Sequence, residues 1–333
     1  MPQVTHSGRG PARGGVRHDG PMDLEPYRGE LVAYCYRMLG SFHEAEDLVQ
    51  ETMLRAWKAR ERYDASRASV RTWLYRIATN VCLTALEGRA RRPLPSGLGA
   101  PSEDPGAPLT PALDIPWLQP FPDARYDIEA RADLRLALVA ALQWLPARQR
   151  AVLVLREVLE FSAAEVAEQL GTTVAAVNSS LQRARAALAR VGDPAELPEP
   201  DDAGARDVVR QYARAFEAAD VPALVRLLTD AAVLEMPPVP LWYRGRRDYG
   251  LFLERVFAMR GTHWLTRPLT AGGQPALAAY APAPDGGHRL HTLQVFTVGA
   301  GRIARNVVFA DPRVFAAFGL PGEISAEKSG SGR

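Results

Sequence analysis

Apolar residues recur at helical spacing in the first third of the chain. Ala45, Leu48, Val49, Thr52, Met53, Ala56 and Trp57 follow an i, i+3, i+4 pattern, with Glu44, Glu46, Asp47, Gln50, Glu51 and Arg55 on the other faces. A second amphipathic stretch, SVRTWLYRIATNVCLTALEGRARR, follows the loop YDASRAS and starts at Ser69, a residue suited to capping a helix N-terminus. Residues 22–92 are thus predicted to form one helical module. The pattern stops at the proline-rich, acidic segment 93–127, which reads as a linker. It resumes over 128–192, broken at Leu145 and Pro146, at Phe161 and at Gly171.

The break at Gly171 carries the most information. In FSAAEVAEQLGTTVAAVNSSLQRARAAL, Ser162 is placed to cap a short helix, Gly171 to make a tight turn and Thr173 to cap a second helix. The small Ala167 before the turn and Val177 after it let two helices cross closely, as a helix-turn-helix requires. A plain antiparallel helix pair would use the same caps and glycine. The outward residues of the second helix, Asn178, Ser179, Gln182, Arg183 and Arg185, favour the DNA-reading alternative, since they can reach phosphates or base edges unopposed by any acid.

After a short connection at 193–204, the pattern from 205 to 321 mixes periods. ARDVVRQYARAFEAADVPALVRLL predicts two helices, AAVLEM a strand and DYGLFLERVFAM a further helix. PALAAYAP, RLHTLQVFTV and RIARNVVFA then read as strands, the last two joined at GAG. One curved sheet packed on helices, an α+β domain, is expected. Residues 1–21 and 322–333 show no periodicity and are expected to be disordered.

A length of 333 residues and a hydrophobic fraction of 47% suit two or three globular domains. No apolar run approaches the roughly 18 residues of a membrane span, and no apolar segment follows the early basic residues, so no export signal is expected. Cys35 and Cys82 are too few and too isolated to predict a metal site or a disulfide framework, which fits a reduced, cytoplasmic setting, and no cofactor is indicated. The net charge of +2 hides a segregation along the chain. Residues 23–51 carry seven acids against two bases, whereas 58–92 carry nine bases against three acids. A chain so divided is expected to touch both nucleic acid and a partner of another kind.

These segments carry a resemblance. AEDLVQETMLRAW, residues 45–57, resembles the core-polymerase-binding helix of bacterial extracytoplasmic-function sigma factors, and LPARQRAVLVLREVLEFSAAEVAEQLGTTVAAVNSSLQRARAAL resembles their promoter-reading region four. Residues 205–321 resemble the SnoaL-like, nuclear-transport-factor-like cone fold carried by a subset of these factors. The implied architecture has two all-α sigma domains, region two and the helix-turn-helix region four, followed by an α+β SnoaL-like domain. The implied partners are promoter DNA and core RNA polymerase, gripped at the clamp helices of its largest subunit.

On this resemblance, Asp47, Gln50, Glu51, Leu54 and Arg55 would face the polymerase. Arg71, Trp73, Tyr75, Arg76 and Asn80 would meet the opened minus-ten element, where aromatic and Arg side chains stack on unpaired bases. Spacing with Ile77 and Val81 equally suits Trp73 to the core. Arg89, Arg91 and Arg92 would neutralise phosphates. Thr173, Asn178, Ser179, Gln182, Arg183 and Arg185 would meet the minus-thirty-five element.

Cyclases share the third domain's fold, and Tyr243, His263, His291, Asn306 and Asp311 are its polar candidates. They form no dense constellation with a motif's spacing, so a regulatory domain is the expected reading, with a small-molecule ligand left open. A ligand-sensing helix-turn-helix regulator independent of polymerase is the alternative. Finally, WLQPFPD places Trp117 and Phe121 inside the linker, among prolines that oppose a helix. The two aromatics are expected to dock on the C-terminal domain near Met236–Gly245, with burial in the helical modules as the competing reading.

Overall fold

The computed structural model describes residues 22–126, 134–191, 203–284 and 286–324. The expectations for 1–21, 127–133, 192–202 and 325–333 lie outside these residues. Three helices open the described chain: α1 (Arg28–Leu39), α2 (Phe42–Ala59) and α3 (Val70–Leu86). Ser41 caps α2 through the Glu44 amide at 3.4 Å, and Ser69 caps α3 through the Thr72 amide at 3.1 Å. α1 is the central helix, with a run from Leu31 to Leu39 buried between its neighbours. Trp57 departs from the expected apolar stripe: it is 59% exposed, with the Arg60 guanidinium over its ring.

The second helical module contains α4 (Leu136–Leu142), α5 (Ala147–Leu153), α6 (Ala163–Gln169) and α7 (Val174–Val191). A π-helical turn, Val154–Val158, follows α5 directly, and the chain emerges from it at Phe161. Ser162 and Glu165 form a reciprocal capping box on α6, and Gly171 takes φ +58° at the turn into α7. The apolar side of α7, Val177, Leu181, Ala184 and Leu188, is buried against the module.

The C-terminal domain contains α8 (Ala203–Glu217), α9 (Val221–Arg226), β1 (Leu228–Met236), β2 (Val239–Arg244), α10 (Arg246–Arg260), β3 (Leu265–Ala271), β4 (Gln274–Pro282), β5 (His288–Gly299), β6 (Arg302–Phe309), α11 (Pro312–Ala317) and β7 (Glu323–Ile324). Sheet order is β2-β1-β6-β5-β4-β3 with β7 on β5; β1 and β6 run parallel and the other pairs antiparallel. β2, β3 and β7 go beyond the strands predicted from the sequence. The expected tail therefore begins later than 322: the Leu290 amide donates to Gly322 O at 2.8 Å, and Arg289 pairs with Glu323 at 3.0 Å.

Both faces of the sheet are covered, which explains why its central strands read as near-continuous apolar runs. Leu277, Ala279, Phe296 and Val298 pack toward α8 and α10. The alternate residues Ala276, Leu293, Val295, Val307 and Phe309 join the same apolar cluster as the helical modules. The back of the cone is thus a platform on which the sigma-like modules sit.

The linker completes that assembly. Gly40 holds φ +69°, which favours glycine, and a Cβ there would lie 2.6 Å from Leu118 Cδ1 and displace that side chain. The Gln119 amide donates to Gly40 O at 3.0 Å, Tyr36 Oη donates to Gln119 O at 2.7 Å, and Ser41 Oγ donates to Gln119 Oε1 at 2.9 Å. On its other side the linker meets the β3–β4 turn. The Gly272 amide donates to Phe121 O at 2.9 Å and the Gly273 amide to Asp123 Oδ2 at 2.8 Å. Gln274 Oε1 accepts from the Leu136 amide at 2.8 Å, where α4 begins. One four-residue turn, AGGQ, therefore bonds both the linker and the second helical module.

Candidate nucleic-acid interface

The outer face of α2 presents Asp47, Gln50, Leu54 and Arg55 to solvent, with Glu51 half-buried beside them and bonded to Arg55 Nε at 2.6 Å. Ala45, Val49, Thr52 and Ala56 anchor the opposite face. Other acids of this region are already engaged: Glu46 takes Arg125 and Tyr126 Oη, each at 3.1 Å, and Glu44 takes Arg89 at 2.8 Å and Arg92 at 2.5 Å. What remains is a small polar surface with Leu54 and Trp57 exposed at 44% and 59%. Exposed apolar groups ringed by charge fit a protein partner.

The basic residues after α3 are less available than expected. Arg89 and Arg92 are held by Glu44, while Arg91 stacks on Trp144 at 3.4 Å and donates to Gly97 O at 2.7 Å. In α3 itself the candidates divide. Tyr75 is fully buried, edge-on to Tyr34 and Phe161, with its hydroxyl donating to Glu30 at 3.1 Å. Burial, reinforced by Glu30, pushes that hydroxyl far above its ordinary range. Tyr75 is therefore a core residue in this arrangement and offers no face for a base. Arg71 pairs with Glu30 at 3.0 Å and lies over Phe161 at 5.0 Å. Trp73 is half-buried against Tyr63, 5.0 Å between ring centroids. Asn80 is exposed, and Arg76 reaches Glu168 of α6 at 3.7 Å.

These contacts place the two helical modules against each other. Arg150 of α5 is the deepest link: 4% exposed, it donates to Met38 O of α1, to Gln143 Oε1 at 2.9 Å and to Leu145 O at 3.1 Å. Desolvation lowers its pKa to about 10, so the guanidinium stays charged at neutral pH. With Gln143 O at 3.3 Å, four acceptors hold a charge that could not otherwise be buried.

α7 projects the expected face. Asn178, Ser179, Gln182, Arg183 and Arg185 are all exposed, and Thr173 Oγ1 caps the helix through the Ala176 amide at 3.2 Å. Among the described residues Arg183 bonds only within its own helix, to Ser180 Oγ 3.1 Å away, whereas Arg185 is paired with Glu157 at 2.5 Å. Gln182 and Arg183 are thus the side chains best placed to read a groove. Replacing both with alanine should cost on the order of 1–3 kcal/mol on a cognate site and flatten discrimination at the contacted base pairs. Competition binding against single-base variants of that site checks this; unchanged discrimination would locate the reading surface elsewhere.

In the C-terminal domain the five polar candidates separate. Tyr243 is buried with its hydroxyl donating to Asp104 O at 3.2 Å, His263 is exposed, and Asp311 caps α11 through the Arg313 amide at 2.8 Å. Only His291 and Asn306 meet, in the wall of a cavity of about 300 Å³ shared with Tyr212 and Gln294. Among the described residues that cavity has no carboxylate in its lining, and no group of three potential metal ligands occurs. Burial first, then Arg260, pushes the His291 pKa down to about 4. The unfolded imidazole titrates near 6.5, so His291 contributes stability that is complete above about pH 6.5 and is lost as pH falls toward 4, on the order of 3 kcal/mol in all. A His291→Gln chain should lose that slope between pH 6.5 and 4 in denaturant titrations.

Phe121 corrects one expectation. Its ring is 1% exposed and lies 5.1 Å from Tyr36 and 5.6 Å from Phe42, in the core of the first helical module. Trp117 is half-buried, its indole donating to Ala112 O at 2.8 Å, and shares a groove with Pro237 and Pro238. The linker does dock on 236–245, but through other residues. The Ser102 amide donates to Trp242 O at 2.8 Å, Trp242 Nε1 to Gly99 O at 3.0 Å and the Ala112 amide to Pro238 O at 2.9 Å. These contacts run through backbone groups of Gly99, Ser102 and Ala112, a weaker signal in sequence than two aromatics.

A helical module with a polar partner-facing helix, a helix-turn-helix with an open basic face, and a cone domain joined by one linker together define a multi-domain transcription-initiation protein. Comparison with known proteins agrees: residues 24–92 match Sigma-70 region 2, residues 135–188 match Sigma-70 region 4, and residues 209–306 match the SnoaL-like domain. The ECF RNA polymerase sigma factor SigG of Mycobacterium tuberculosis is 49% identical over 331 residues, covering 96% of this chain and 89% of that protein. SigJ of the same species is 31% identical over 207 residues, covering 62% of this chain and 61% of that one. The crystal structure of M. tuberculosis SigJ superposes with a TM-score of 0.63 at 25% identity, covering 90% of this chain and 99% of that one. The chain belongs to the extracytoplasmic-function RNA polymerase sigma factors, in the form that carries a C-terminal SnoaL-like domain.

Proposed function

We propose that this chain binds core RNA polymerase and directs promoter-specific initiation in the cytoplasm, and that its C-terminal domain acts as a non-enzymatic clasp that holds the two DNA-facing modules together. The family membership carries the first part. α2, through Asp47, Gln50, Glu51, Leu54 and Arg55, is the polymerase surface; Arg71, Trp73, Arg76 and Asn80 serve the minus-ten element; Thr173 and the open face of α7 serve the minus-thirty-five element. No helix among the described residues is long and apolar enough to cross a membrane.

The second part rests on the contacts between modules. Two elements named for positions ten and thirty-five lie ~25 base pairs apart, roughly 85 Å along B-form DNA. Here α3 instead packs on α6 through Arg76 and Glu168, with Tyr75 and Arg71 against Phe161. The modules must part before both elements can be engaged, and the AGGQ turn and linker oppose that parting. The absence of a carboxylate around the cavity, among the described residues, favours regulation over cyclase chemistry. Run-off transcription with purified core polymerase tests the reading: product that requires this chain and a cognate promoter supports it, and no core-dependent product would favour the polymerase-independent regulator.

A further inference from the structure

The cavity between the sheet and α8 and α10 is not a closed domain interior. Two of the residues that line it, Leu109 and Pro111, belong to the linker between the sigma modules. That stretch is pinned across the mouth: Arg255 Nη1 of α10 donates to Pro105 O at 2.8 Å and to Ala107 O at 2.7 Å, and the Ala112 amide donates to Pro238 O at 2.9 Å. Leu109 packs with the apolar cluster inside the cone.

The wall is mostly apolar; its polar members are Tyr212, His291, Thr292, Gln294 and Asn306, with Arg260 exposed to solvent, and of the buried ones Asn306 is incompletely satisfied. Asn306 is 1% exposed; its Nδ2 donates to Tyr249 Oη at 2.7 Å and to Gln294 Oε1 at 2.9 Å, while its Oδ1 has no hydrogen-bond partner among the described residues. A buried acceptor left in this state is costly unless something donates to it. An apolar cavity of about 150 Å³ takes a benzene ring, so the 300 Å³ here has room for about two fused rings.

We propose that this cavity binds a small, uncharged, ring-bearing molecule of about two-ring size whose single hydroxyl donates to Asn306 Oδ1, and that the 99–112 stretch of the linker is the lid over it. The proposal deepens the clasp reading above and rests on it. A ligand touching Leu109 and Pro111 binds the lidded form more tightly than a form with the linker lifted, so it shifts the chain toward the closed arrangement by that differential affinity. His291 is kept neutral by its surroundings, and the one charged side chain of the lining, Arg260, is turned to solvent, so the buried part of the cavity suits an uncharged ligand.

The test uses the full chain with 2-naphthol as the probe and naphthalene as its hydroxyl-free control. Calorimetric titration should show saturable one-site binding, with 2-naphthol favoured about five- to tenfold, as one hydrogen bond to an otherwise unpaired acceptor would give. Val308→Phe, which fills the cavity from β6, should abolish binding. Asn306→Leu should erase the preference for the hydroxyl, with circular dichroism checking its fold. Hydrogen exchange over residues 99–112 should slow when 2-naphthol is present. Absence of saturable binding, equal affinity for the two probes, binding that survives in folded Val308→Phe, or unchanged exchange over 99–112 would each overturn the proposal. None of these readouts involves polymerase, so a failure here is distinguishable from failure of core-dependent transcription.

Discussion

A Gly272→Val chain should initiate core-dependent transcription more strongly than the unaltered chain. A Cβ at Gly272 would lie 2.3 Å from the carbonyl oxygen of Leu134, and the residue holds φ +58°, so valine is excluded both by the neighbouring backbone and by its own conformation. The turn can yield only by withdrawing from α4 and the linker. That breaks the amide contacts to Phe121 O and Asp123 Oδ2 and the Gln274 bond to the Leu136 amide. Loss of these bonds should shift the closed-to-open equilibrium by about 1–3 kcal/mol, or roughly 5- to 150-fold. The gain in run-off product per bound factor should fall within that range wherever opening limits initiation. Exchange over 118–123 and 134–142 should rise in parallel, while the cone, stabilised on its inner face by an independent core, stays folded. Faster exchange without any change in transcript would separate module docking from regulation and contradict the clasp.

How legible this arrangement was in the sequence depended on the range of the interactions involved. Ser69, Ser162, Thr173 and Gly171 announce themselves because caps and tight turns are satisfied within a few residues. The open face of α7 follows from the same local periodicity. Tyr75 and Phe121 could not be placed that way. Tyr75 looks like a DNA-facing aromatic until Glu30, 45 positions earlier, accepts its hydroxyl. Phe121 looks like a linker ornament until the corner between α1 and α2, about 80 residues away, encloses it. Trp57 errs in the opposite direction, since helical spacing puts it on the apolar stripe but no element among the described residues covers that position. The AGGQ turn does not stand out in the sequence, because the strand before it, LTRPLTA, carries Thr, Arg and Pro in place of an apolar run. Its role as the junction of three segments came only from the fold.

The α2 surface should decide polymerase binding. Asp47→Arg with Glu51→Arg should weaken association with core by at least about tenfold, because two unfavourable charges replace two favourable ones on a surface whose apolar centre, Leu54 and Trp57, must be desolvated on contact. Folding stability should move little. Asp47 is exposed and makes no ion pair among the described residues, and the Glu51–Arg55 pair sits one helical turn apart on the surface, a type worth about 0.3–0.5 kcal/mol. Anisotropy titration of labelled chain with core, alongside a denaturant midpoint, gives both quantities. Undiminished affinity would move the contact away from this helix.

The central claim is that the DNA-facing modules are held together in the free chain and part when polymerase and promoter are engaged. Dyes on Glu87→Cys and Ala164→Cys report it directly, since both positions are exposed, neither is assigned to a DNA or polymerase contact, and the native Cys35 and Cys82 are buried. Energy transfer should be high for the chain alone and should drop in the initiating complex, toward a separation on the order of 85 Å along the duplex. A transcriptionally active complex in which transfer stays as high as in the free chain would contradict the account.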